Sequence, residues 1–252
     1  MLTTRVIPTL LLKRGGLFKG VSFENHKYVG DPINAIKIFN EKEVDELIVL
    51  DINTTIDGTE PDYEYLKSLA TQAFMPIGYG GGISTIDQIE KLFTCGIEKV
   101  IINTAASTNM KLLSDASRIV GSQGIVVSID VKKHLGGRYS VFTHSGLQDT
   151  GLEPSEYAKK AEDAGAGEVI LCSIDQEGTG KGYDLRLIKK VAEKLSLPVV
   201  ASGGAASLTH FREAIDAGAS AVTAGSMFVF QGKYRAVLIS YPKYSDLITA
   251  LK

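Results

Sequence analysis

The sequence predicts an α/β fold, a single (βα)8 barrel of the TIM type made of two matching half-barrels. Three observations carry this. Short runs rich in Val and Ile alternate with helix-patterned stretches along the whole chain. No stretch of altered composition divides the 252 residues, so one closed barrel fits better than an open sheet or two domains. Motifs of the first half also recur in the second at a nearly constant spacing.

The elements follow in order. A strand over 5–12 leads into a long loop that carries Lys19. Asp31-Pro32 opens a helix near 32–42, since proline suits a first helical turn and its missing N–H costs nothing there. A strand over 46–52 contains Asp51, and Glu60-Pro61 opens a helix near 61–73 by the same rule. The strand at 75–79 runs into Gly80-Gly81-Gly82, and a helix follows near 84–94. The strand at 98–103 ends in Asn103, Thr104 and Ala105, before a helix near 109–120. The second half repeats the series. Its strands are 125–130, 168–174, 198–202 and 220–225, with helices near 154–164, 184–196 and 207–217. Glu153-Pro154 starts the first of these helices. Gly96, Gly165 and Gly218 each follow a helix, where a left-handed cap favours glycine. In the last stretch, Tyr234 to Tyr241 alternates like a strand and Pro242 interrupts any helix; its tyrosines are expected to pack.

The repeat sets the register between half-barrels of about 1–121 and 122–252. "VLDINTTIDGT" matches "CSIDQEGTG", with Asp51 facing Asp175. "MPIGYGGGIST" matches "LPVVASGGAAS", so Gly81-Gly82 answers Gly203-Gly204, and Gly96 answers Gly218. The opening "RVIPTLLLKRGG" matches "IVVSIDVKKHLGG", which makes Leu11 and Asp130 equivalent points on opposite strands. Phosphate sites come as a pair in this register. Gly81, Gly82, Asn103 and Thr104 form one set; Gly203, Gly204, Gly225 and Ser226 form the other. Small residues admit a ligand close to the backbone, and helix N-termini offer N–H groups to an anion. The expected ligand is a small molecule with a phosphate at each end.

Composition narrows the function classes. The chain is 44% hydrophobic and 22% charged with net charge −2, and its basic residues are not clustered, which argues against nucleic acid. No apolar run approaches ~20 residues, so no membrane span is expected, and the N-terminus lacks the apolar region of a signal peptide. Cys95 and Cys172 lie in apolar runs and read as buried thiols of a reducing, cytoplasmic compartment. Four histidines lack ligand spacing, so neither a metal nor a cofactor is expected.

Six motifs in combination, "FENHKYVGDP", "GGGI", "INTAA", "GSQGIVVSIDVKK", "GAGEVILCSIDQEGT" and "ASGGA", span nearly the whole chain. Together they resemble the HisF family, the cyclase subunit of imidazole glycerol phosphate synthase. The resemblance implies a TIM barrel paired with a HisH-like glutaminase. Ammonia then enters at the N-terminal face of the barrel. At the C-terminal face it meets a doubly phosphorylated ribulosyl aminoimidazole carboxamide ribotide.

The family's two acid–base aspartates fall at Asp130 and at Leu11, so one carboxylate is missing. Thr9, on the same strand face, cannot titrate near neutrality, and Asp51 on the adjacent strand is the next candidate. Loss of a general acid or base costs about 10²–10⁴ in rate. Lys19 matches a functional lysine in the family's mobile lid. Arg5, Glu46, Lys99 and Glu168 match the charged ring that gates the ammonia route. Alternation with the apolar residues after them turns all four inward. Glu98 and Gln123 match positions near the glutaminase.

"LLLK" in place of the catalytic motif, followed by "YVGDPINAIKIFNEKEVDEL", resembles a divergent HisF-like branch of surface-polysaccharide pathways. That branch implies ammonia supply to a separate amidotransferase that makes acetamidino sugars. The alternatives are a histidine-pathway cyclase that works with Asp130 and another partner, and a non-catalytic scaffold that activates the glutaminase.

Overall fold

The computed structural model describes residues 4–251. The first half comprises β1 (Arg5–Lys13), β2 (Gly16–Val21), β3 (Glu24–Gly30), α1 (Pro32–Glu41), β4 (Leu47–Asp51), α2 (Thr54–Asp57), α3 (Tyr63–Ala70), β5 (Ile77–Gly80), α4 (Ile86–Thr94), β6 (Lys99–Ile102), α5 (Thr104–Thr108) and α6 (Lys111–Val120). The second comprises β7 (Ile125–Lys133), β8 (Tyr139–Thr143), β9 (Gln148–Asp149), α7 (Pro154–Asp163), β10 (Glu168–Ser173), α8 (Leu185–Ala192), β11 (Val199–Ser202), α9 (Leu208–Asp216), β12 (Ala221–Ala224), α10 (Ser226–Val229), β13 (Phe230–Gln231), β14 (Ala236–Val237) and α11 (Tyr244–Leu251). Strands β1, β4, β5, β6, β7, β10, β11 and β12 pair in parallel in that order, and β12 returns to β1. The sheet is closed, as the TIM-barrel reading requires. Strands β1 and β7 stand opposite each other, four places apart around the ring.

Local chemistry sets the helix starts. Thr85 and Gln88 form a reciprocal capping box on α4, and Asp31 caps α1 through Asn34 N at 2.8 Å. Pro61 does not open a helix. Asp62 is the cap, accepting from Tyr65 N at 3.0 Å, because a carboxylate satisfies a free N–H that proline cannot. Glycines 96, 165 and 218 all have φ between 93° and 107°, the left-handed exits that the sequence predicts.

Four further expectations change. The long loop after the first strand is a β-hairpin, β2–β3, paired to the extended end of β1, with Leu11 opposite Phe18. The second half repeats this device with β8 on β7. Cys172 is buried, but Cys95, at the end of α4, is only partly so. The helix expected at 109–120 is preceded by a separate short one, α5, broken at Asn109 with φ −144°. The last stretch yields a two-residue strand and then α11, which begins just past Pro242. Tyr234 is exposed, whereas Tyr241 packs on Phe228 with ring centroids 5.1 Å apart.

Side chains that point into the barrel lie in layers. At the lower end are Arg5, Glu46, Lys99 and Glu168. Above them Ile7, Ile48, Ile101, Val126, Ile170, Val200 and Ala221 form a small core of their own. Strand β5 adds only Gly78, and a side chain there would press on Ile101 at 3.3 Å. Two residues further along, period-2 alternation brings a polar layer that includes Thr9, Asn103, Ser128, Cys172, Ser202 and Thr223. The main core lies outside the barrel, between strands and helices.

The Tyr241 hydroxyl donates to the Val6 carbonyl at 2.7 Å, tying the tail to the start of β1. Tyr241→Phe keeps the ring packing and leaves that carbonyl without its donor. It should lower unfolding free energy by about 1 kcal/mol, read as a shifted urea midpoint at unchanged slope. A midpoint equal to wild type would show that this bond contributes nothing.

Candidate active site at the barrel mouth

The polar layer is the floor of a cavity of about 930 Å³ that opens at the C-terminal ends of the strands. Both phosphate sets proposed from sequence line it, as do Leu11, Lys19, Asp51 and Asp130. Asp130 sits in the C-terminal half of β7 on the inward face, two residues after Ser128. Asn103 Nδ2 donates to its Oδ2 at 3.0 Å and to the Ser128 carbonyl at 3.1 Å. Thr104 then holds Asn103: its hydroxyl donates to Asn103 Oδ1 at 3.3 Å and accepts from His144 N at 3.1 Å. The residues of the first set thus also orient the carboxylate. Enclosure by the barrel wall pushes Asp130 up to about 7, against the Ser128 and Asn103 hydrogen bonds and with help from the charge of Glu177. A carboxyl poised there can give or take a proton near neutrality.

Leu11 lines the opposite side of the mouth. Asp51, on the adjacent strand, also lines the mouth. Its Oδ1 accepts from Asn53 N at 3.0 Å and Thr54 N at 3.3 Å, which commits it to the start of α2. Burial raises its carboxyl and those two amides pull it back. Its counterpart Asp175 is likewise a loop brace, accepting from Lys133 N at 2.8 Å.

Lys19 is not a solvated loop residue. It projects from β2 into the barrel with 4% exposure, and Nζ donates to the Thr9 carbonyl at 2.6 Å. The amine lies against Gly225, where a Cβ would come within 2.1 Å of it. Desolvation lowers Lys19 to about 8, and the charge of Glu177 opposes the fall. Beside it, the hydroxyl of Ser226 is buried without a partner. An amine and a free hydroxyl therefore converge at the start of α10.

Glu177 is the cavity residue that the sequence reading missed. It lines the mouth, burial raises its carboxyl, and Lys19 opposes this. Its only sequence signal was a second acid inside "IDQEGTG", where the repeat drew attention to Asp175 instead. The hairpin is docked over the mouth at this point: Ser22 N donates to the Glu177 carbonyl at 2.8 Å. Gly178 allows the approach, since a Cβ there would lie 2.2 Å from the Gly20 carbonyl.

The glycines of both sets first pack loop against loop. A Cβ on Gly81 would strike the Asp51 carbonyl at 2.6 Å, and one on Gly204 the Gly182 carbonyl at 2.2 Å. Gly82 N donates to the Thr55 hydroxyl at 3.2 Å.

At the lower end, Arg5 pairs with Glu46 and Glu168, and Lys99 reaches the same two carboxylates at 2.9 Å each. Burial works to raise Glu168, but the two cations outweigh it and hold its carboxyl below the usual range. Glu98, in a loop, and Gln123, in a one-turn 3-10 helix, are exposed at this end. Among the described residues no group of three His, Cys, Asp or Glu side chains could hold a metal, and no helix is long and apolar enough to cross a membrane.

The profile of a histidine biosynthesis protein family matches residues 5–235. A Pseudomonas aeruginosa protein, provisionally named imidazole glycerol phosphate synthase subunit hisF2, is 50% identical over 98% of this chain and 99% of its own. The chain belongs to the HisF family. A Leptospira interrogans relative, also provisionally named as a HisF subunit of that synthase, is 45% identical over 98% of both chains. The imidazole glycerol phosphate synthase subunit HisF of Streptomyces coelicolor is 41% identical over 91% of both. The HisF resemblance seen in the motifs therefore holds over the whole barrel.

Asp130 gives a pH test. Its folded pKa, about 7, lies above the ordinary 3.8, so the folded state holds the proton more tightly. The sign follows: stability is greatest below the ordinary value and falls as pH rises towards about 7. Asp130→Asn removes the charge, so its thermal midpoint should exceed that of wild type near pH 8 and match it near pH 4. An equal difference at both pH values would contradict the assignment.

Proposed function

We propose that this HisF-family chain receives ammonia from a HisH-like glutaminase at the lower end of the barrel. The ammonia passes to the mouth and feeds a separate amidotransferase that makes acetamidino sugars for surface polysaccharide. One contrast carries the reading: the inward ring of Arg5, Glu46, Lys99 and Glu168 is complete, while Leu11 faces Asp130 where a second carboxylate would be needed. A barrel under no demand for ammonia transfer has little reason to keep four inward charges. Buried charges are costly unless balanced, and apolar side chains would fill the same space more cheaply.

Two anion sites at the mouth are part of the proposal. One lies by Gly82 and Thr104, the other by Gly204, Gly225 and Ser226. The unpartnered Ser226 hydroxyl and the nearby Lys19 amine favour the second. A diphosphate bound there either occupies the mouth as a regulator or is the acceptor itself. The histidine-pathway reading, a cyclase working through Asp130, draws on the poised state of that carboxyl. Pure scaffolding explains neither Asp130 nor the buried Lys19.

Lys99→Ala and Glu46→Ala each leave a charge in the ring unbalanced. Both variants should lower the ratio of glutamine-dependent to free-ammonia-dependent product formation. Wild-type ratios in both would remove the gate.

Leucine can neither exchange a proton nor orient a water. Binding through remote phosphates should survive its presence while turnover falls, as for a lost transition-state interaction. Leu11→Asp should therefore raise ammonia-dependent cyclisation of the ribulosyl aminoimidazole carboxamide ribotide, by about 10²-fold or more. Rapid cyclisation by the wild-type chain, with no gain in the variant, would return the protein to the histidine pathway.

A further inference from the structure

Phe74 is 89% exposed. Among the described residues it is the one exposed large apolar side chain in a loop that leads from a helix into a barrel strand. Such loops form the lower end of the barrel, around the charged ring. Its position there is closely defined. Residues Leu47 and Glu98 directly follow and precede the ring residues Glu46 and Lys99. Leu47 N donates to the Pro76 carbonyl at 3.0 Å, and Glu98 N to the Ile77 carbonyl at 2.9 Å. Phe74 comes just before this Pro76-Ile77 pair, so it stands on the rim between two members of the ring.

The loop that presents Phe74 is braced. Asn40, near the end of α1, donates from Nδ2 to the Gln72 carbonyl at 2.7 Å and accepts at Oδ1 from Phe74 N at 2.9 Å. One side-chain amide thus clips both sides of Ala73. A phenyl ring held in water by a fixed backbone gains nothing for the isolated chain. It is, however, prepaid for binding, because ordering a flexible loop is part of what association costs. Aromatic side chains carry large apolar area and are enriched at interface cores, where polar neighbours form the surrounding rim. Exposed Glu98, in the adjacent loop, is such a neighbour.

We propose that Phe74 is the aromatic anchor of the docking surface at the lower end, and that its occupant is the ammonia-delivering glutaminase, which offers an apolar pocket beside its ammonia outlet. This rests on the ammonia-receiving reading above, since continuity with the charged ring selects the occupant.

The test is titration of the full chain with the HisH-like glutaminase of the same organism by calorimetry. Wild type should form a one-to-one complex. Phe74→Ala should bind at least about thirtyfold more weakly, the loss typical of an interface hot spot. Phe74→Leu should recover part of the affinity, and Asn40→Ala should lose several-fold by loosening the loop. The thermal midpoint of Phe74→Ala should equal that of wild type, since the ring buries nothing in the free chain. Wild-type affinity in Phe74→Ala overturns the anchor and leaves the glutaminase reading standing. No complex with wild type overturns that reading and the anchor with it. A dimer of the chain alone that Phe74→Ala dissolves would place a second copy on this surface and also overturn the proposal.

Discussion

Four charges inside the lower end of the barrel constrain everything above them. Arg5 and Lys99 share Glu46 and Glu168 in a closed, neutral ring. Neither carboxylate could sit with so little exposure alone, because an uncompensated charge in that position costs several kcal/mol. The ring therefore exists only as a set of four, three at the first residues of β1, β6 and β10 and Glu46 just before β4. Directly above it an apolar layer fills the barrel, and above that the lining turns polar. This order, charged then apolar then polar, gives the molecule two ends with different chemistry. The mouth can hold an ionised ligand, while the apolar layer resists water and ions.

At the mouth the two halves part company. Strand β7 carries a carboxyl whose proton affinity is tuned by enclosure, held through Asn103 by Thr104 and His144. Strand β1 carries Leu11 in the equivalent place. The hairpin that follows it compensates in a different currency, by placing a lysine amine rather than an acid inside the barrel. Glu177 brings a further carboxylate to the cavity, but from the loop after β10, where the charge of Lys19 acts on it. The site is thus rich in binding groups and poor in proton-transfer pairs. That asymmetry separates the function proposed here from ring closure.

Much of this was visible in the residues. The barrel and the opposed positions of Leu11 and Asp130 follow from strand–helix alternation and an internal repeat, which are properties of spacing; the ring was picked out by the HisF resemblance, and period-2 alternation turned it inward. What stayed hidden depended on contacts distant in sequence. Lys19 looked like a loop lysine because nothing local says that residues 16–30 fold back onto β1. Glu177 was passed over because Lys19, whose charge acts on it in the folded barrel, lies far away in the chain. Asp51 shows the opposite case: its acid type and strand-end place were legible, but not that its Oδ1 accepts from the amides of Asn53 and Thr54. Pro61 and α11 show the same limit at helix ends, where a capping side chain or packing decides the boundary.

The central claim is that the ammonia-handling half of this barrel persists without efficient ring closure. The most direct measurement is growth of a histidine auxotroph lacking its cyclase subunit, carrying this chain with and without its glutaminase, on medium without histidine. The account predicts no growth in either case, although the protein is folded and abundant. Growth at the rate given by an ordinary HisF subunit would contradict it.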